Sequence, residues 1–233
     1  MTSTRRVIPL ALLTLIAGAT AVVALAHSGG TEAANEPAHH HGVMAVAQHP
    51  GAISANELAL RRTMDRLWEE HVAWTRLAII SLTTNAPDTK ATVARLLRNQ
   101  TDIGNAVKPF YGAAAGKQLT ALLREHILIA ADLIAVAQKG DSAGVAAQQA
   151  RWTKNADEIA AFLSSANPTS WKLGEMKAMM REHLRLTTNE VVARLQGNWA
   201  ADVKAYDRVE REILQMSEML ADGLVAQFPS RFA

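Results

Sequence analysis

The sequence predicts an all-α protein, an antiparallel bundle of about six helices arranged as three helical hairpins, and three observations carry that prediction. From Ser54 onward apolar residues recur in alternating steps of four and three, as in Leu60, Met64, Leu67, His71, Trp74 and Ala78, the spacing that lays one apolar face along a helix. Helix breakers fall in short clusters at hairpin distances: Asn85-Ala86-Pro87, Pro109 to Gly116, Gly140-Asp141-Ser142, Asn167-Pro168 and Gly197-Asn198. A Glu-His-aliphatic triplet appears at Glu70-His71-Val72, Glu125-His126-Ile127 and Glu182-His183-Leu184, at intervals of 55 and 57 residues. A repeat of that length points to one supersecondary unit used three times, a pseudo-threefold internal repeat.

The elements follow in order. Arg5 and Arg6 precede an uncharged apolar run from Val7 to Ala26 that closes Ala24-Leu25-Ala26, the layout of a secretory signal peptide over residues 1–26. The run also approaches the roughly 20 residues that span a bilayer, so an uncleaved N-terminal membrane anchor is the other reading. Both place the chain outside the cytoplasm, extracellular or at the cell envelope. Residues 27–53 hold Gly, Ala, Pro and His without apolar period, including His39-His40-His41 and His49-Pro50, and read as a flexible His-rich linker. The bundle domain then occupies 54–233, with helices expected at about 54–84, 88–107, 115–139, 142–165, 172–196 and 199–227.

Composition narrows the function classes. At 233 residues and 49% hydrophobic the chain is long enough for one core and hardly two. Without residues 1–26 its formal charge falls from +2 to 0, which removes the electrostatic basis for a nucleic-acid partner. There is no cysteine, so thiolate metal sites and cysteine nucleophiles are excluded, and any metal must take nitrogen, oxygen or thioether ligands.

The histidines are the candidate site. His71 stands on the Leu60–Ala78 seam, His126 on Leu119, Leu123, Ala130, Leu133 and Ala137, and His183 on Met176, Met180, Thr187 and Val191; all three imidazoles are expected to face inward. Their preceding glutamates lie about 100° round each helix, at the edge of the apolar face. On the intervening helices Asn99-x-x-Asp102, Asn155-x-x-Glu158 and Asp207-x-x-Glu210 set an amide or carboxylate one turn before a carboxylate. Folding each hairpin shut brings these level with its histidine. Three neutral imidazoles with neighbouring oxygens suit zinc, iron, manganese or copper, so His71, His126, His183, Asp102, Glu158, Asp207 and Glu210 form the candidate metal set. The alternative gives each histidine a hydrogen-bonded partner in its own hairpin and no ion, in a structural or partner-binding envelope module.

The phrases Glu70-His71-Val72-Ala73-Trp74-Thr75-Arg76, Asn99-Gln100-Thr101-Asp102-Ile103-Gly104, Asn155 to Pro168, and Glu182-His183-Leu184 with Leu186-Thr187-Thr188 resemble a family of small exported or lipid-anchored bacterial all-helical proteins with repeated Glu-His motifs. The resemblance spans about residues 60–229. It implies an exported helical protein and, through a glycosyltransferase label carried by some members, an enzyme acting on envelope polymers. The sequence itself offers neither the alternating strands of a nucleotide-sugar fold nor an Asp-x-Asp motif.

Two further patterns bear on chemistry. Met176, Met179, Met180, Met216 and Met219 gather on the last hairpin and admit a copper(I) thioether reading beside the ordinary one of flexible core filler. Thr75 and Thr187 lie one turn after His71 and His183, but Ala130 follows His126, so a shared threonine nucleophile is absent. No Gly-x-Ser-x-Gly or His-Glu-x-x-His occurs, and the chain is expected not to be a hydrolase of those kinds.

Overall fold

The helical period of the sequence is realised throughout the part of the chain that the computed structural model describes, residues 53–233: five α-helices and one short 3-10 turn, with no strand among the described residues. The signal segment 1–26 and the linker, apart from Ile53, lie outside the described residues. The helices are α1 (Ala55–Thr84), α2 (Thr89–Lys139), α3 (Ser142–Ala166), α4 (Leu173–Leu195) and α5 (Trp199–Gln227), and the turn is Pro229–Arg231. No described helix is long and apolar enough to cross a membrane.

Local chemistry sets the helix ends. Ser54, Asp141 and Asn198 cap α1, α3 and α5, accepting from the backbone N–H of Glu57, Gly144 and Ala201 at 3.1, 2.9 and 3.2 Å, which satisfies donors that the first turn leaves free. Asn85 and Gly140 end α1 and α2 in the left-handed region at φ 52° and 74°.

The expected separate helices over 88–107 and 115–139 are one element, α2, interrupted at a single residue. The breaker-rich stretch from Pro109 to Gly116 shrinks to Gly112, at φ 84° and ψ 170°, a conformation open to glycine, and helix resumes at once. The two arms of α2 lie against each other. A Cβ on Gly104 would stand 1.9 Å from Thr120 Oγ1 and 2.6 Å from the Gly116 carbonyl, and Arg124 donates to the Leu97 carbonyl at 3.0 Å. Small residues at 104 and 116 permit this approach.

Helix α1 packs on α2 and α5, α3 on α2 and α4, and α4 on α5. The core runs through the middle of this ring, with Met64, Leu67, Ile103, Leu123, Ile129, Ile159, Met176, Ile213 and Leu224 all buried. At one end Tyr111, Phe110 and Phe228 form an aromatic plug, with centroid separations of 5.6 Å for Tyr111–Phe228 and 5.4 Å for Phe110–Phe228. Trp171 seals the same end against Gly223, where a Cβ would meet its indole nitrogen at 2.0 Å.

Candidate functional site

Helices α1, α2 and α4 each direct one histidine to the bundle axis. His71, His126 and His183 are 3%, 4% and 4% exposed, as the four-three seams require. The His71 and His126 ring centroids stand 6.0 and 6.3 Å from that of His183. Trp68 meets His71 edge-on at 5.7 Å, and Trp152 lies 5.2 Å from His126.

All three imidazoles line one internal cavity of ≈ 40 Å³, which exceeds the roughly 10–15 Å³ needed to seat a water molecule. Apart from the histidines its wall is apolar. It includes Met64, Met180 and Met216, and carries no acidic residue. Of the methionines grouped in the sequence, Met180 and Met216 reach the cavity, and Met176, Met179 and Met219 do not line it.

Each Nδ1 is held by the residue 29 positions further along the chain. His126 Nδ1 donates to Asn155 Oδ1 at 2.8 Å, and His183 Nδ1 donates to Glu212 Oε2 at 2.8 Å. Gln100 Nε2 lies 3.1 Å from His71 Nδ1. The amide orientation is fixed by its neighbours, because Gln100 Nε2 also donates to the Leu96 carbonyl at 3.0 Å and to Asn99 Oδ1 at 3.1 Å. Asn99 in turn donates from Nδ2 to the Leu67 carbonyl at 3.0 Å, so its oxygen must be the end that faces Gln100. His71 Nδ1 therefore stands as an acceptor toward an amide whose two hydrogens are shared among three acceptors, whereas the other two donate. The consequence is an unequal trio: His126 and His183 offer Nε2 lone pairs, and His71 carries its proton on Nε2.

Burial keeps two of these rings uncharged. The His71 imidazole is pushed down to about 3 by burial, reinforced by His183 and His126. His126 is likewise lowered to about 3, by burial and then by His183. Glu212 contacts the layer through His183, and its other oxygen, Oε1, is buried without a partner.

The carboxylates expected to complete the site stand elsewhere. Asp102 and Glu210 lie two residues from Gln100 and Glu212, about 200° round the helix, and neither lines the cavity. Asp207 is exposed, and Glu158 pairs with Lys154 at the surface. Asn155, the first member of its expected pair, holds His126 and also donates to the Leu122 carbonyl at 3.1 Å. Sequence reasoning missed Gln100 and Glu212, because a search for one-turn acid pairs passes over them. The signal that finds them is the constant 29-residue interval from each histidine.

Glu70, adjacent to His71, pairs at the bundle edge with Arg66 and Arg95 at 3.0 and 2.9 Å. Glu182, beside His183, accepts from Arg185 Nε at 2.7 Å, and Glu125 is exposed. Thr75 Oγ1 donates to the His71 carbonyl at 2.7 Å, as a helical threonine commonly does, and Thr187 Oγ1 is buried without a partner.

Arrangement limits what an ion could bond. Imidazoles sharing one tetrahedral ion at N–metal distances near 2.1 Å have centroids roughly 5.3 Å apart, closer than the 6.0 and 6.3 Å found. Accordingly, among the described residues no group of three His, Asp or Glu side chains is set to share an ion.

A second buried polar cluster lies further along α1 and α4. Arg76 donates to Glu190 at 2.8 Å and to both oxygens of Asp202 at 2.9 and 3.2 Å, and Arg194 donates to Asp202 at 3.1 Å. Tyr206 and Trp199 stack under these guanidinium groups at 4.9 and 4.8 Å. Both acids are 1% exposed, and burial pushes the Glu190 carboxyl up to about 7 against the pull of Arg76.

Compared with known protein families, curated proteins and solved structures, the chain finds no match in any of the three.

Proposed function

We propose that this is an exported helical domain that binds a transition-metal ion in its core through imidazole nitrogen. The observation that carries the reading is the convergence of three buried histidines on one apolar cavity, two of which, His126 and His183, have Nδ1 held by a side-chain oxygen 29 positions on. Ligating histidines are ordinarily held in this way, the ring nitrogen away from the metal being fixed by a carboxylate or carbonyl. Export rests on the Arg5-Arg6 start, the apolar run to Ala26 and the lack of cysteine.

The same interval supports reading the five helices as three hairpins of one repeated unit, with α2 contributing an arm to two of them across Gly112. His71 with Gln100, His126 with Asn155 and His183 with Glu212 are then equivalent positions.

One observation favours a second reading, a structural bundle that binds no metal. A single water would accept from His71 Nε2–H and donate to Nε2 of His126 and His183, matching the donors and acceptors of the layer one for one.

Elemental analysis and thermal shift of the purified chain separate the two. His27, His39, His40, His41 and His49 are replaced by alanine in that protein, so that binding reports on the core. The metal reading expects about one equivalent of ion and a rise in melting temperature with that ion. No bound metal, and no shift with zinc, copper, manganese or iron, overturns it in favour of the structural bundle.

A further inference from the structure

The reading above leaves the ion open, and the inference that follows rests on that reading. We propose that the ion is soft and monovalent, copper(I), bound between Nε2 of His126 and Nε2 of His183 with thioether sulfur from the lining methionines Met180 and Met216, and that His71 is not a ligand.

The hydrogen bonds choose the two ligands. His126 and His183 give their Nδ1 protons to Asn155 and Glu212 and so present bare Nε2 atoms. To do the same, His71 would have to set an N–H against the N–H of Gln100, whose amide is committed to Leu96 and Asn99. Spacing agrees with that choice. Two imidazoles facing each other across one ion have centroids roughly 6.1–6.5 Å apart, and the His126–His183 separation is 6.3 Å. A two-coordinate, near-linear arrangement with thioether support is open to a d10 monovalent ion, and zinc instead takes a tetrahedron of nitrogen, oxygen or thiolate.

Charge points the same way. The cavity wall has no acid, and the one carboxylate bonded to the histidine layer is Glu212, which pairs with no lysine or arginine among the described residues. One buried negative charge balances one positive charge. A dication there would keep an uncompensated buried charge, which is costly. The uncharged remainder of the wall, with Met180 and Met216 in it, suits an ion that prefers sulfur over oxygen.

The test uses the full chain with the five N-terminal histidines replaced by alanine. Copper(I) alone is titrated under reducing, anaerobic conditions against a chromophoric copper(I) chelator, with zinc(II), manganese(II) and iron(II) as competitors. The expected result is one equivalent of copper(I) that a hundredfold excess of zinc(II) does not displace, with X-ray absorption showing two nitrogen scatterers and sulfur. Met180→Leu and Met216→Leu conserve volume and keep the core filled, and together should weaken copper(I) binding at least tenfold. Glu212→Gln should weaken it by 10–100-fold, the range found for losing a residue that orients a ligand.

If zinc(II), manganese(II) or iron(II) binds and copper(I) does not compete, this inference fails and the metal reading stands. Sulfur missing from the absorption spectrum, or unchanged affinity in the double methionine variant, overturns the thioether assignment. If no ion binds at all, both fall together.

Discussion

Two buried polar regions share helices α1 and α4, and they solve the same problem in opposite ways. In the histidine layer two rings are kept uncharged: His71 and His126 are held near 3 by burial, and their partners are the amides of Gln100 and Asn155. The cluster of Arg76, Glu190, Asp202 and Arg194 is ionic, with two guanidinium groups facing two carboxylates, while burial raises the Glu190 carboxyl to about 7 and leaves Arg194 Nε without a partner. Its carboxylates are engaged by its own guanidinium groups. The layer, in contrast, keeps lone pairs at Nε2 and an unpaired carboxylate oxygen at Glu212. Imidazoles that line a cavity, in place of carboxylates already engaged by guanidinium groups, set the layer apart as the proposed binding region.

The largest expected effect lies at Arg76. Arg76→Ala strands Glu190 and leaves Asp202 with Arg194 alone, both acids being 1% exposed, and removing one partner from a buried ion pair costs about 3–5 kcal/mol. Urea denaturation should show a loss of that size. A loss under 1 kcal/mol would mean that water reaches the acids in place of Arg76.

Acid should act next, and on the layer. The unfolded chain takes up protons on His71 and His126 near pH 6.5, and the folded chain does so only near 3. Stability is thus full above pH 6.5 and declines as pH falls from there toward 3. The slope is about 1.4 kcal/mol per pH unit for each histidine, about 2.7 for both. His126→Gln should halve that slope, as chemical denaturation at pH 4, 5 and 6 would show; an unchanged slope would remove His126 from the account.

A smaller effect separates the hairpin partners. Asn155→Ala deletes bonds to both His126 and the Leu122 carbonyl and should cost about 1–3 kcal/mol, the desolvation penalty of buried groups left without partners. The smallest effects belong to Asp102→Ala, Glu158→Ala and Asp207→Ala. Each should change stability by no more than about 0.5 kcal/mol and leave metal affinity unaltered. A tenfold loss of affinity in any of them would restore the oxygen ligands expected from the sequence.

Those last variants mark where the sequence stops being legible. Helical period located His71, His126 and His183 on the inward face, because a four-three seam fixes direction within a fraction of a turn. The helix ends likewise follow their caps, as at Ser54 and Asn85. Partner choice is harder to read, because it depends on how far each helix is rotated in its hairpin, and loop length leaves that rotation open. Asp102 and Gln100 are two positions apart, yet one faces the edge of the bundle and the other faces an imidazole. The bend of α2 was hidden for a related reason: Pro109, Gly112 and Gly116 look alike as breakers, and only Gly112 leaves the helix.

The shared 29-residue interval carries a genetic consequence. The three turns it bridges differ in length, four residues at 85–88, two at 140–141 and three at 196–198, so the arms have absorbed each difference and kept count. Losing or gaining a single codon within an arm would swing histidine and partner about 100° out of register, a fault that no side-chain adjustment repairs. Length drift in such a gene should be confined to the segments between these intervals, near Gly112 and around Asn167–Lys172, and those are the places at which the domain could be cut, extended or spliced.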